Sequence, residues 1–140
     1  MIEVTTEVRP SMALELTPSG QQDNQAPLSP DNLYQLVKSG PSWAFRHNGK
    51  LVALIGHCSP WAGRTVLWAF LGADCGPCMI ALTKHVKAEI ARLEFSRVEA
   101  YAEVTHAQGN RWLELMGFTR EGVMRKFAYG TDYNLYSWVN

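Results

Sequence analysis

The sequence predicts a mixed α/β (α+β) single sheet flanked by helices, with an extended N-terminal arm, and three observations predict it. Alternating or unbroken apolar segments of strand length recur along most of the 140 residues. In the second half a segment with helical spacing lies between a long apolar strand and an alternating one, which places a strand–helix–strand crossover mid-chain. Near the start, a stretch rich in Pro, Gln, Ser and Gly breaks both patterns.

Element by element, MIEVTTEVRP alternates Ile2, Val4, Thr6 and Val8 against Glu3, Thr5, Glu7 and Arg9, the pattern of a half-buried strand. SMALELTPSGQQDNQAPLSP loses that pattern, and residues 17–30 read as a linker or extended arm, either mobile or laid against a partner. In SPDNLYQLVKSGP, Ser29 caps a helix, Pro30 suits its first position, Leu33, Leu36 and Val37 form its stripe, and Gly40-Pro41 end it. SWAFRHNGKLVALIGH reads as a hairpin turning at His47-Asn48-Gly49, because Asn-Gly accepts positive φ cheaply. TVLWAFLGA is apolar enough for a central strand. PCMIALTKHVKAEIARLEF places Met79, Leu82, Val86, Ile90 and Leu93 at helical spacing. RVEAYAEV sets Val98, Ala100, Ala102 and Val104 on one face and Glu99, Tyr101 and Glu103 on a solvated other. Thr105 to Gln108 has the form of a capping box, and Gly117 ends the helix it opens. GVMRKFAY and YNLYSWV then form a hairpin around Gly130-Thr131-Asp132. The expected organisation is residues 1–41 as strand, arm and short helix, then a main domain over 42–140.

Composition narrows the function. Thirteen Lys and Arg balance thirteen Asp and Glu, so the chain lacks the electrostatic footprint of a nucleic-acid binder. No apolar stretch is long enough to span a bilayer, and the N-terminus carries glutamates where a signal peptide needs cations, so a cytosolic protein without membrane partners is expected. Three cysteines, an odd number, fit a reduced compartment.

Cys75-Gly76-Pro77-Cys78 resembles the redox site of thioredoxins, in which a helix N-terminus stabilises a thiolate. No proline follows Pro77 to face such a disulfide, and Asp74 beside Cys75 disfavours thiolate. Zinc held by Cys75, Cys78 and either His57 or Cys58 ranks lower still, because no second Cys-x-x-Cys exists and a metal is not expected.

The run from RVEAYAEV through NRWLELMGFTREGVMRKF to LYSWV resembles the C-terminal half of GNAT-fold acyltransferases, with Gly117-Phe118 and Glu121-Gly122 as the signature. TVLWAFLGA and the helix after it extend the likeness back to about residue 42. The resemblance implies a mostly antiparallel sheet and acyl transfer from acetyl-CoA to an amine. It implies that the coenzyme's diphosphate would meet Asp74, Cys75, Gly76, Cys78 and Met79. There the family's Arg/Gln and second glycine are missing, and Pro77 removes an amide. It also places Leu113 where many members carry a proton-donating tyrosine, with Tyr101 or Tyr129 as substitutes, and points to Glu103 and His106 as the base. Trp61, in the loop HCSPWAG, is the expected exposed contact.

More narrowly, ADCGPCMIALTKHVK with the later motifs is similar to GNAT-like proteins of tailed bacteriophages, some resembling an internal virion protein of short-tailed coliphages. That likeness implies a catalytically degenerate protein of virion structure or assembly, in the host cytoplasm or the particle, meeting other virion proteins through the arm at 17–30. The alternative is an active N-acetyltransferase using acetyl-CoA. A thiol redox or zinc module stands third.

Overall fold

A computed structural model describes residues 2–16 and 28–139. Seven strands form one sheet: β1 (Ile2–Thr5), β2 (Ser42–His47), β3 (Lys50–Trp61), β4 (Arg64–Leu71), β5 (Arg97–Glu103), β6 (Thr119–Ala128) and β7 (Thr131–Val139). Their spatial order is β1-β2-β3-β4-β5-β7-β6, and every neighbouring pair is antiparallel except β4 and β5. The helices are α1 (Met12–Glu15), α2 (Pro30–Lys38), α3 (Met79–Arg92) and α4 (Ala107–Leu115). The sheet is therefore mixed, as expected, with the crossover through α3 joining its one parallel pair.

Period-two alternation puts a core on each face of the sheet. Ile55, Leu67, Val98, Ala100 and Tyr136 pack against Leu82, Val86 and Ile90 of α3 and Trp112 and Leu113 of α4. Ala44, Leu54 and Phe70 pack against Met12 and Ala13 of α1 and Leu33 of α2. This second cluster contains no residue of β5, β6 or β7, so that half of the α2-side face is left without a helix.

Local chemistry explains most boundaries. Ser29 Oγ accepts from the Asn32 amide at 3.2 Å and Pro30 opens α2, as read from the sequence. Asn48 and Gly49 take φ of 52° and 82°, giving the tight turn between β2 and β3. At the end of α4, Gly117 sits at φ 96°, its amide donates to the Glu114 carbonyl at 3.0 Å, and the Phe118 amide donates to the Leu113 carbonyl at 3.0 Å. That pair of bonds is a Schellman stop.

Other expectations are corrected. The first strand ends at Thr5 rather than running on to Val8, and α1, unanticipated, follows it. The arm's residues 17–27 lie outside the described residues; its last residue, Pro30, is helical. The last hairpin turns at Tyr129-Gly130, both at positive φ, and Thr131 already belongs to β7. Thr105 does not cap α4: His106 is the N-cap residue without a side-chain cap bond, and the Thr105 hydroxyl donates to Glu103 at 2.9 Å. The long helix occupies 79–92, preceded by a 3-10 turn, Gly76–Cys78. The boundary drawn at 41/42 falls between α2 and β2, and β1 pairs with β2 in the same sheet.

Candidate functional site

The parallel ladder between β4 and β5 holds only Arg64–Val66 against Arg97–Glu99. Beyond it the pairing stops, leaving a V-shaped gap between the later halves of two strands that point the same way. β4 leads into α3 and β5 into α4, so both helices begin at the open end, the switch point where open sheets bind ligands.

On the β4 side stand Asp74, Cys75, Gly76, Cys78 and Met79. The Cys75 amide donates to the Gly72 carbonyl at 3.2 Å and the Cys78 amide to the Cys75 carbonyl at 2.9 Å. The Met79 amide donates to the Gly76 carbonyl, and Pro77 has none to give. Three of the five candidate amides are therefore engaged in the tight turn. Asp74 is the N-cap residue of neither the turn nor α3, whose N-caps are Cys75 and Cys78; it pairs on the surface with Lys50. The pattern does not fit a diphosphate, which needs unengaged donors and no neighbouring carboxylate.

Cys75 and Cys78 are free and buried, and burial, followed by the neighbouring Cys78, pushes the Cys75 thiol up. A thiol held protonated is the opposite of a redox nucleophile. Among the described residues no group of three His, Cys, Asp or Glu stands close enough to hold a metal ion.

On the β5 side, the structure brings Glu103 and His106 together at the entrance to α4. The Asn110 side chain fixes this corner, donating to the carbonyls of Glu103 at 2.9 Å and His106 at 2.8 Å. Asn110 Oδ1 in turn accepts from Asn134 Nδ2 at 2.7 Å and the Tyr136 hydroxyl at 2.9 Å. Burial lowers the His106 pKa while the Glu103 charge raises it, with a net lowering. A ring neutral near pH 7 beside a carboxylate can accept a proton. Tyr133, paired in register with Glu103, is buried and held protonated by burial and by that charge.

The sequence reading placed Glu99 and Glu103 on a solvated face. Both are buried, at 5% and 4% exposure; Glu99 is covered by two arginines, and Glu103 accepts from the Thr105 hydroxyl. Glu99 accepts from Arg64 through two bonds of 2.7 and 2.8 Å, from Arg97 at 2.6 Å and from the Tyr101 hydroxyl at 3.0 Å. Arg97 also grips Glu121 of β6 in two bonds of 2.9 and 2.8 Å. The Arg64 bond holds the Glu99 carboxyl down to about 2, and the Arg97 bond does the same for Glu121. This lattice braces the closed end of the V.

Above the lattice lies an open groove of about 540 Å³ lined by Trp61, Arg64, Tyr101, Met124, Phe127 and Leu135 among others. Trp61 is 64% exposed, with the Arg64 guanidinium 4.4 Å over its ring. Of the tyrosines proposed as donors, Tyr101 is engaged with Glu99 and Arg64, and Tyr129 lies exposed in the last hairpin turn. Leu113 is packed in the core. Tyr133 of β7 lies in register opposite Glu103, a neighbour the sequence reading did not anticipate.

Solved structures match this fold along 99% of the chain. The ribosomal-protein-S18-alanine N-acetyltransferase of Escherichia coli aligns at TM-score 0.77 and 15% identity, over 94% of its own length. The ribosomal-protein-S5-alanine acetyltransferase of Vibrio fischeri aligns at 0.71 and 16%, over 93%. An N-acetyltransferase of Staphylococcus aureus aligns at 0.74 and 14%, over 98%. No protein-family model and no curated protein matches the sequence. The fold is that of the GNAT acetyltransferases; identity this low shows the fold alone.

Proposed function

We propose that the chain is an acyltransferase that moves an acyl group from a thioester to an amine. The observation that carries the reading is the V between β4 and β5 with Glu103 and His106 at its open end. Two strand edges without ladder partners can flank an extended thioester-bearing arm, and the paired carboxylate and imidazole stand where β5 ends. The solved acetyltransferases of the same fold support this assignment as analogy.

In this site the amine nitrogen bonds to the thioester carbonyl carbon and its proton passes to the His106 ring, held beside the Glu103 carboxylate. The carbon–sulfur bond then breaks, and the proton taken up by His106 passes to the departing thiolate, which returns the ring to its neutral form. Because the His106 pKa lies below its ordinary 6.5, the base is unprotonated by neutral pH.

The protein should therefore acetylate amines from a mixed pool when given S-acetyl-phosphopantetheine or acetyl-CoA, read by mass spectrometry. The rate should level off by about pH 7, and His106→Ala should lower it by about 100-fold, in the range of general-base losses. Absence of product with both donors would overturn the reading.

A second reading is favoured by the engaged turn amides and by Leu113: a GNAT-fold protein that has lost catalysis and serves as a structural or assembly component. Its placement in a bacteriophage particle rests on the sequence resemblance alone. Detection of the chain in purified particles, with no acyl transfer, supports that reading.

A further inference from the structure

We infer that the acyl donor is a pantetheine thioester mounted on an acidic carrier protein rather than the free nucleotide coenzyme. The inference rests on the acyl-transfer reading above and follows from a mismatch between two parts of one site. The V between β4 and β5 remains open to an extended, amide-bearing arm, which strand edges can hold by main-chain hydrogen bonds. The turn at the mouth of the V is a poor seat for a diphosphate. The amides of Cys75, Cys78 and Met79 are engaged, Pro77 has none, and Asp74 adds a negative charge. Lys50, which could have countered a phosphate, is paired with Asp74. A thioester on a carrier protein has the same arm but a single phosphodiester in place of the nucleotide diphosphate.

The surface beside the mouth fits such a carrier. Ile80, Lys84 and Lys87 recur at i, i+4 and i+7, so they share one stripe on the outer face of α3, running away from the turn. Ile80 is 76% exposed, and both lysines are exposed. Neither lysine is in an ion pair among the described residues, whereas the helix's acidic residue, Glu89, is paired with Arg92. On a chain of zero formal net charge this stripe is a local cationic excess that begins at an exposed apolar residue. Its complement is an acidic surface with an apolar contact, docked so that its prosthetic arm enters the adjacent V.

Three donors decide the matter by isothermal titration: acetyl-CoA, free S-acetyl-phosphopantetheine, and a purified acidic acyl carrier protein loaded with the same acetylated arm. The two small donors should bind within about threefold of each other, and the loaded carrier about tenfold or more tighter. The surface double variant Lys84→Glu/Lys87→Glu should lose most of the carrier's advantage and bind the free arm unchanged. Acetyl-CoA binding about tenfold tighter than the free arm would overturn the inference and leave acyl transfer standing. A double variant that binds the carrier as well as the parent does would also overturn it. If none of the three binds, both the inference and the acyl-transfer reading fall.

Discussion

Gly117 shows how much one residue can fix. Its φ of 96° lies where side chains are strained, and the open space around it leaves backbone conformation, not packing, as the constraint. Gly117→Ala should therefore cost about 1–2 kcal/mol, the usual penalty for forcing an L-residue into a left-handed geometry, seen as a lower urea midpoint with unchanged slope. This residue was legible because its signal is local: an apolar run stops, a glycine follows, and Phe118 returns to the core. Glu99 was not legible. Its partners Arg64 and Arg97 come from 35 positions upstream and two along the strand, and the alternation of RVEAYAEV assigns a face without saying what covers it. The capping box at Thr105 failed for a similar reason. A hydroxyl near a helix start has more than one acceptor in reach, and the Glu103 carboxylate won it.

At the scale of elements, α2 behaves as its sequence says, from cap to apolar stripe, with Leu33 fully buried against β2, β3 and β4. Removing the cap with Ser29→Ala should lower stability by about 1 kcal/mol and the melting temperature by a few degrees, measured by circular dichroism. The turn before α3 is the opposite case. Its motif is easy to see, but what it does depends on which carbonyls its amides find, and Gly72 lies upstream of the motif itself. Strand order is also hidden from a one-dimensional reading. The sequence separates β6 and β7 cleanly, yet gives no sign that β7 lies inside β6, against β5.

For the whole molecule, the histidines and carboxylates that titrate below neutral pH act in one direction. Burial lowers the folded pKa of His57 and His106, so the unfolded chain binds more protons once pH falls below about 6.5. The contribution of the two imidazoles is full above that value and declines as pH drops through their depressed folded values. Glu99 and Glu121 titrate near 2 in the fold against an ordinary 4.5, so a second decline follows as pH falls from about 4.5 toward 2. Urea midpoints taken from pH 8 to pH 3 should therefore fall in two stages and never rise. A midpoint that increased on acidification would contradict the lowered pKa of the two imidazoles. The fold was thus within reach of the sequence, while the charge lattice and the state of the turn's amides needed the assembled sheet.

The insertion of β7 between β5 and β6 sets a condition on biosynthesis. Strands are made in numerical order, so β5 and β6 leave the ribosome before the strand that must separate them exists. Until Thr131–Val139 emerge, β5 presents an open edge beside β4 and β6 has no neighbour to pair with. A nascent chain stalled at the last hairpin therefore holds a half-built sheet and is exposed to aggregation.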